Sequence, residues 1–127
     1  FTYVAELTHT DGTEDGGYGI LFHMQDYNNF YYFNLRDSGT IELYAMENSE
    51  WIELQAPTDF EDISLDDYNE IAVVANGSHY VFYVNGYEAL DYTDDRFTGG
   101  TIGLGIDLYD TGDTISVDFD NLQVWVP

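Results

Sequence analysis

Apolar residues recur at every second position along nearly the whole chain, and no stretch of useful length carries the helical period of 3.6. A side-chain period of two belongs to strands, whose successive residues point to opposite faces. FTYVAELT sets Phe1, Tyr3, Ala5 and Leu7 against Thr2, Val4, Glu6 and Thr8. YGILFHMQ puts Ile20, Phe22 and Met24 on one side and Leu21, His23 and Gln25 on the other. NFYYFNLR opposes Tyr31, Phe33 and Leu35 to Phe30, Tyr32, Asn34 and Arg36, and TIELYAM opposes Ile41, Leu43 and Ala45 to Glu42, Tyr44 and Met46. WIELQA, NEIAVVA, HYVFYV, YEALDY, TIGLGIDL and TISVDFDNLQVWV are further runs of the strand type.

Turn signals separate these runs: Asp11-Gly12, Asn28-Asn29, Ser38-Gly39, Asn76-Gly77, Asn85-Gly86, Gly99-Gly100 and Thr111-Gly112. Asn-Gly suits tight hairpins because both residues tolerate positive φ. DFEDISLDDY has room for one short helical turn. About ten closely spaced strands without a helical period predict an all-β, antiparallel sandwich or barrel. The 127 residues suit a single domain spanning 1–127, with no internal repeat and no linker.

Charge narrows the partners. Twenty-five acids face only Arg36 and Arg96, for a formal net charge of -23. Phosphate binding requires cations that displace counterions, so nucleic acid is excluded as a partner. An anionic membrane surface is excluded by the same argument, and no apolar run approaches the roughly 18 residues of a membrane span. Salt, bound divalent cations or solvated acids would relieve the self-repulsion, and an extracellular or cell-surface setting provides all three. Cysteine is absent, so there is no disulfide framework. The chain opens on Phe1 with neither a starting Met nor a signal peptide, as a mature or trimmed chain would.

The order of GGYGILFHMQDYNNFYYFNL, GTIELYAMENSEWIEL, NEIAVVANGSHYVFYVNGYEAL, GGTIGLGI and VDFDNLQVW resembles the concanavalin A-like lectin/glucanase superfamily, and within it the small laminin-G-like jelly-roll modules of secreted bacterial proteins. The YVNG hairpin, the G-x-I-G-L strand and the closing FDNLxVW strand carry the likeness best, and it runs over residues 1 to 127. The resemblance implies a two-sheet jelly roll, often with glycan-binding or adhesive roles and sometimes with a structural calcium. Such modules usually have a strand or two before the position of FTYVAEL, so the first strand of the pattern is expected to be missing here. The segment from Thr114 to Val126 would lie near it.

The superfamily's glucanases carry an E-x-D-x-x-E strand, which alternation places on one face. The nearest acidic run, DFEDISLDD, has Ile63 where the middle acid belongs. No G-x-S-x-G elbow is present, and His9, His23 and His79 fall in separate segments. The expectation is therefore a chain that is not an enzyme.

If the Ile20/Phe22/Tyr31/Phe33 side faces the core, the opposite side carries His23, Gln25, Tyr32, Asn34, Arg36 and Tyr44, with Phe30 and Glu42 among them. Flat rings interleaved with polar forks suit a sugar, so these six are the candidate ligand-binding residues. The competing reading is a second covered face or a subunit contact, with Arg36 in a weak surface pair with Glu42 or Asp37. Asp107, Asp110 and Asp113 in DLYDTGDT are the candidate calcium ligands, with Asp11, Glu14 and Asp15, or Asp118 and Asp120, as alternatives. Solvated acid is the plainer reading of each. Asn76 begins an N-x-S glycosylation sequon that its turn already explains. Trp51 and Trp125 read as core or sheet-edge residues. The leading expectation is a non-catalytic extracellular module binding glycan or a protein partner. The alternative is a homo-oligomeric or filamentous subunit of a surface assembly, completed by a strand from another chain.

Overall fold

The structure, a computed structural model, describes residues 1–12, 16–36, 38–64, 68–107 and 115–125. Among the described residues there are ten strands: β1 (Thr2–Gly12), β2 (Gly17–Asp26), β3 (Asn29–Arg36), β4 (Thr40–Glu47), β5 (Glu50–Asp59), β6 (Asn69–Asn76), β7 (His79–Val84), β8 (Tyr87–Thr93), β9 (Thr101–Asp107) and β10 (Ile115–Trp125). They form two antiparallel five-stranded sheets, ordered β10-β1-β6-β7-β8 and β5-β4-β3-β2-β9. Among the described residues there is no helix. In the described part of the stretch where a helical turn was expected, Glu61 and Asp62 form a turn.

The core lies between the sheets and follows the alternation. Tyr3, Ala5 and Leu7 of β1, Ile71 and Val73 of β6, and Phe82 and Val84 of β7 are buried against Ile20, Phe22, Phe33, Leu35, Ile41 and Leu43. Phe33 and Phe82 stack across the gap at 4.5 Å between ring centres. Offset aromatic pairs of this kind add about 0.5–1.5 kcal/mol beyond the area they bury. Buried Asn69 ties the end of β6 to its surroundings. Its amide nitrogen donates to the Tyr18 hydroxyl and to Ser64 O, and its oxygen accepts from Ser64 N–H and from Asn85.

Two details depart from the sequence pattern, and a third concerns the closing strand. Asp11 and Gly12, expected to form a turn, remain in β1 opposite Ser116 and Ile115. The β4–β5 hairpin turns on Asn48 and Ser49, both at positive φ (52° and 68°). The closing strand, expected over Thr114 to Val126 near a strand absent from this sequence, is described over Ile115–Trp125 as β10 and pairs with β1. β1 in turn pairs with β6 on its other side, so the strand opening the chain occupies an interior place in its sheet.

Candidate functional site

The outer face of the β5-β4-β3-β2-β9 sheet gathers the aromatic surplus. Direct pairing sets Phe30 opposite Met46, Tyr32 opposite Tyr44 and Asn34 opposite Glu42. Paired residues point to the same side, so Phe30, Tyr32, Asn34, Arg36, Glu42 and Tyr44 share the face away from the core. β5 extends the row, with Trp51 opposite Met46 and Glu53 opposite Tyr44.

Trp51 is the centre of the cluster. Its ring meets Phe30 at 5.7 Å and Tyr44 at 5.9 Å edge-on, and Tyr32 at 6.3 Å. Phe30 and Tyr32 are buried, Tyr44 is half-buried, and Trp51 keeps 52% of its surface exposed. One ring is thus presented to solvent on a bed of three others. Beside the bed, Leu21 is paired with Tyr32 and the next positions are glycines. Gly19 and Gly105 are paired across β2 and β9, and a Cβ on Gly105 would come within 2.9 Å of the Tyr32 ring. Glycine here lets the Tyr32 ring lie flat against the sheet.

A charged knot lies next to the rings. Arg36 Nε forms an ion pair with Glu42, whose side chain is fully buried while that of Arg36 stays partly exposed. The Tyr44 hydroxyl donates to the other Glu42 oxygen. This is not the weak surface pair expected from the sequence. A buried carboxylate is costly unless compensated, so Glu42 fixes both the guanidinium and the phenol in orientation.

Four of the six predicted binding residues therefore meet on one face: Tyr32, Asn34, Arg36 and Tyr44. Gln25 does not join them. It is exposed beyond the end of the cluster, where its amide nitrogen donates to His23 O at 3.1 Å and to Gly99 O. His23 is a correction. The ladder slips between Phe22 and Asp26, and His23 takes φ 47°. This bulge reverses the alternation and turns the imidazole into the core, against Phe1, Phe22 and Tyr80. The same slip leaves Met24, expected in the core, partly exposed.

His23 there belongs to a buried polar cluster. Its Nδ1 lies 3.0 Å from Phe97 O, a carbonyl that only accepts, so Nδ1 carries the proton. The Tyr80 hydroxyl donates to the same carbonyl, Phe97 N–H donates to the Tyr31 hydroxyl, and Tyr31 donates to Asp94. Burial lowers the His23 pKa, with the Phe97 carbonyl partly opposing it. Burial likewise raises the Tyr31 and Tyr80 hydroxyls. The cluster pins the segment from Asp94 to Phe97 onto the sandwich.

Of the proposed metal ligands, Asp110 and Asp113 lie outside the described residues, as do Glu14 and Asp15, and for Asp107 only the backbone is described. Asp118 and Asp120 are exposed on β10. Among the described residues no three His, Cys, Asp or Glu side chains lie close enough to hold a metal. Asn76 is exposed at the β6–β7 turn. Neither tryptophan is a core residue: both stand half-exposed on edge strands, Trp51 on β5 and Trp125 on β10. The sequence reading undervalued Trp51. The available signal was its place one turn after Tyr44 and Met46, which hairpin pairing brings alongside.

The family described as 3-keto-alpha-glucoside-1,2-lyase-like domain matches residues 1–125, so the chain belongs to it. No curated protein matches the sequence. Among solved structures, the carbohydrate-binding module CBM66 from Bacillus subtilis superposes with a TM-score of 0.75 at 22% identity, covering 96% of this chain and 72% of that one. A tetrameric galectin from the ball sponge Cinachyrella sp. gives 0.69 at 13% identity, covering 98% and 90%. A xylan beta-1,4-xylosidase from Bacillus halodurans C-125 gives 0.66 at 14% identity, covering 93% of this chain and 26% of that one. These likenesses show the fold, and with the family match they bear out the concanavalin A-like jelly roll that the sequence motifs imply.

Proposed function

We propose that this member of the 3-keto-alpha-glucoside-1,2-lyase-like family is a non-catalytic glycan-binding module whose ligand lies across β3, β4 and β5 on the outer face of their sheet. The observation that carries the proposal is Trp51, half-exposed on a bed of Phe30, Tyr32 and Tyr44 and next to the Arg36–Glu42 pair. An indole face covers the apolar C–H face of a pyranose or furanose ring, and a fixed guanidinium meets hydroxyl groups at its edge. The names of the structural neighbours, a carbohydrate-binding module and a galectin, support the same reading. With a net charge of -23, a neutral glycan suits this chain better than an anionic one.

The family's name refers to lyase chemistry, and Glu42 is the acid nearest the rings. Its two oxygens are taken up by Arg36 and Tyr44, which suits a fixed anchor better than a carboxylate that exchanges protons. We place the module outside the cell, where polysaccharide is abundant and salt screens its charge.

Affinity electrophoresis through gels loaded with neutral polysaccharides tests the proposal. Retardation by at least one of them, weakened about tenfold or more in Trp51→Ala, is the expected result, since an exposed aromatic anchor contributes about 1–2 kcal/mol or more. Equal retardation of Trp51→Ala and the parent chain would remove the site.

A further inference from the structure

Exposure is uneven around Trp51. Toward the middle of the sheet, Tyr32, Asn34 and Glu42 are buried, so a ligand on Trp51 meets no open ring there. Toward the turns that close the β2–β3 and β4–β5 hairpins the surface opens. Met46 is half-buried beside Trp51, and past it the β2–β3 turn carries Tyr27. Tyr27 is 88% exposed, more than any other large apolar side chain among the described residues. It and Trp51 are the two exposed rings that belong to this sheet among those residues.

A single exposed tyrosine means little by itself. This one sits in a turn fastened from both sides. The Asp26 carboxylate accepts from Asn28 N–H at 2.8 Å and from the Asn29 amide at 3.0 Å, which closes the turn around Tyr27. The Asn29 side-chain oxygen accepts from Asn48 N–H at 3.0 Å, and Asn28 O accepts from Ser49 N–H at 3.2 Å. The last two bonds tie the Tyr27 turn to the turn that leads into Trp51. The backbone under both rings is thus set before a ligand arrives, which lowers the ordering cost of stacking on them. Strand geometry gives the separation. Trp51 lies opposite Met46 and Met46 opposite Phe30, and Tyr27 follows in the turn before Phe30. Two strand spacings across and three residues along place the two backbone positions roughly 14 Å apart. Apolar Met46 and Phe30 occupy the way between them.

We propose that Tyr27 is a second aromatic platform for the same glycan, that the bound chain runs from Trp51 past Met46 and Phe30 to the β2–β3 turn, and that the ligand class is an oligosaccharide segment longer than a disaccharide. The inference rests on the glycan reading of Trp51. A monosaccharide or disaccharide on Trp51 does not reach across the gap to Tyr27, so only longer chains gain from the second ring.

The test is calorimetric titration of the whole chain with the mono-, di-, tetra- and hexasaccharides prepared from the neutral polysaccharide that most retards the parent chain in the gels. Affinity of the parent is expected to rise from the disaccharide to the hexasaccharide. Tyr27→Ala is expected to weaken the hexasaccharide about tenfold, as loss of an aromatic anchor does, and to leave the two shortest sugars and the melting temperature as in the parent. Tyr27→Phe keeps the ring and is expected to bind every length as the parent does. Trp51→Ala is expected to weaken every length. Parent-like binding of the hexasaccharide by Tyr27→Ala, alongside weakened binding by Trp51→Ala, would overturn the second platform and leave the first standing. An equal loss at all lengths in Tyr27→Ala would also overturn it, since Tyr27 would then belong to the same subsite as Trp51. Unchanged binding by Trp51→Ala, or no retardation of the parent chain by any polysaccharide, would instead remove the reading on which the inference rests, and the inference with it.

Discussion

At the scale of single residues, the Arg36–Glu42 pair and His23 show how burial changes the meaning of a side chain. Glu42 is fully buried and Arg36 is not. Removing the cation should therefore cost more than neutralising the acid. Arg36→Ala leaves a buried carboxylate without its counter-charge and is expected to destabilise the fold by about 3–5 kcal/mol. Glu42→Gln leaves a guanidinium that can turn toward water and should cost about 1–3 kcal/mol. Chemical denaturation ranks the two, and the reverse order would contradict this account of the knot. His23 makes a pH prediction. Its folded pKa lies below the unfolded value of about 6.5. The neutral ring's contribution is thus complete above that value and is lost as the pH falls through 6.5 toward the lowered folded pKa. His23→Asn tolerates the positive φ and keeps a donor for Phe97 O. It is expected to flatten the fall in melting temperature between about pH 7 and pH 5.5. An unchanged slope would place that proton elsewhere.

At the scale of elements, the sequence was informative wherever alternation ran undisturbed. The faces of β3 and β4 came out as expected, because seven consecutive pairs from Phe30↔Met46 to Arg36↔Thr40 proceed without a slip. β2 was misread beyond Phe22, because it carries two extra residues against β3 between Phe22 and Asp26 and one against β9 between Leu21 and Met24, and the irregular stretch breaks the alternation there. His23 and Gln25 were lost to the candidate site for that reason. No local composition rule marks a bulge at Phe-His-Met. The Asn48-Ser49 turn was missed because Asn-Ser lacks the glycine that signals a mirror-image hairpin. Ser49 bears the steric cost of φ 68° for a residue with a Cβ, about 1–2 kcal/mol. The extra freedom glycine has in the unfolded chain offsets part of the gain. Ser49→Gly is expected to stabilise the protein by roughly 0.5–1 kcal/mol, seen as a higher denaturant midpoint with an unchanged slope. A lower midpoint would show that the serine is held by contacts that outweigh the strain.

At the scale of the whole molecule, two properties decide behaviour: a jelly roll that buries its rings between sheets, and a net charge of -23 spread over 127 residues. Self-repulsion of that size opposes the compact state and is screened within about 10 Å at 0.1 M salt. The melting temperature is therefore expected to rise steadily from about 10 mM to about 1 M NaCl, and a flat response would show the acids to be compensated locally. The all-β antiparallel class was legible from periodicity and turns, which left sandwich and barrel open, and the family resemblance supplied the two-sheet jelly roll. The proposed binding face was only half legible. Alternation named its rings, but exposure depends on which ring is stacked on which, and only the packing of Phe30, Tyr32 and Tyr44 beneath Trp51 shows which one meets solvent.

The two tryptophans give the central claim an internal control, since they are almost equally exposed, 52% for Trp51 and 54% for Trp125, yet lie on different sheets. The decisive measurement is a fluorescence titration with the neutral polysaccharide that binds the parent chain, carried out on two single-tryptophan variants. Trp125→Phe keeps the indole on the proposed glycan face and is expected to show a saturable change in emission at the parent's affinity. Trp51→Phe keeps only the indole on β10 and is expected to show no change, with binding weakened. A response carried by Trp125, with Trp51 silent, would contradict the account.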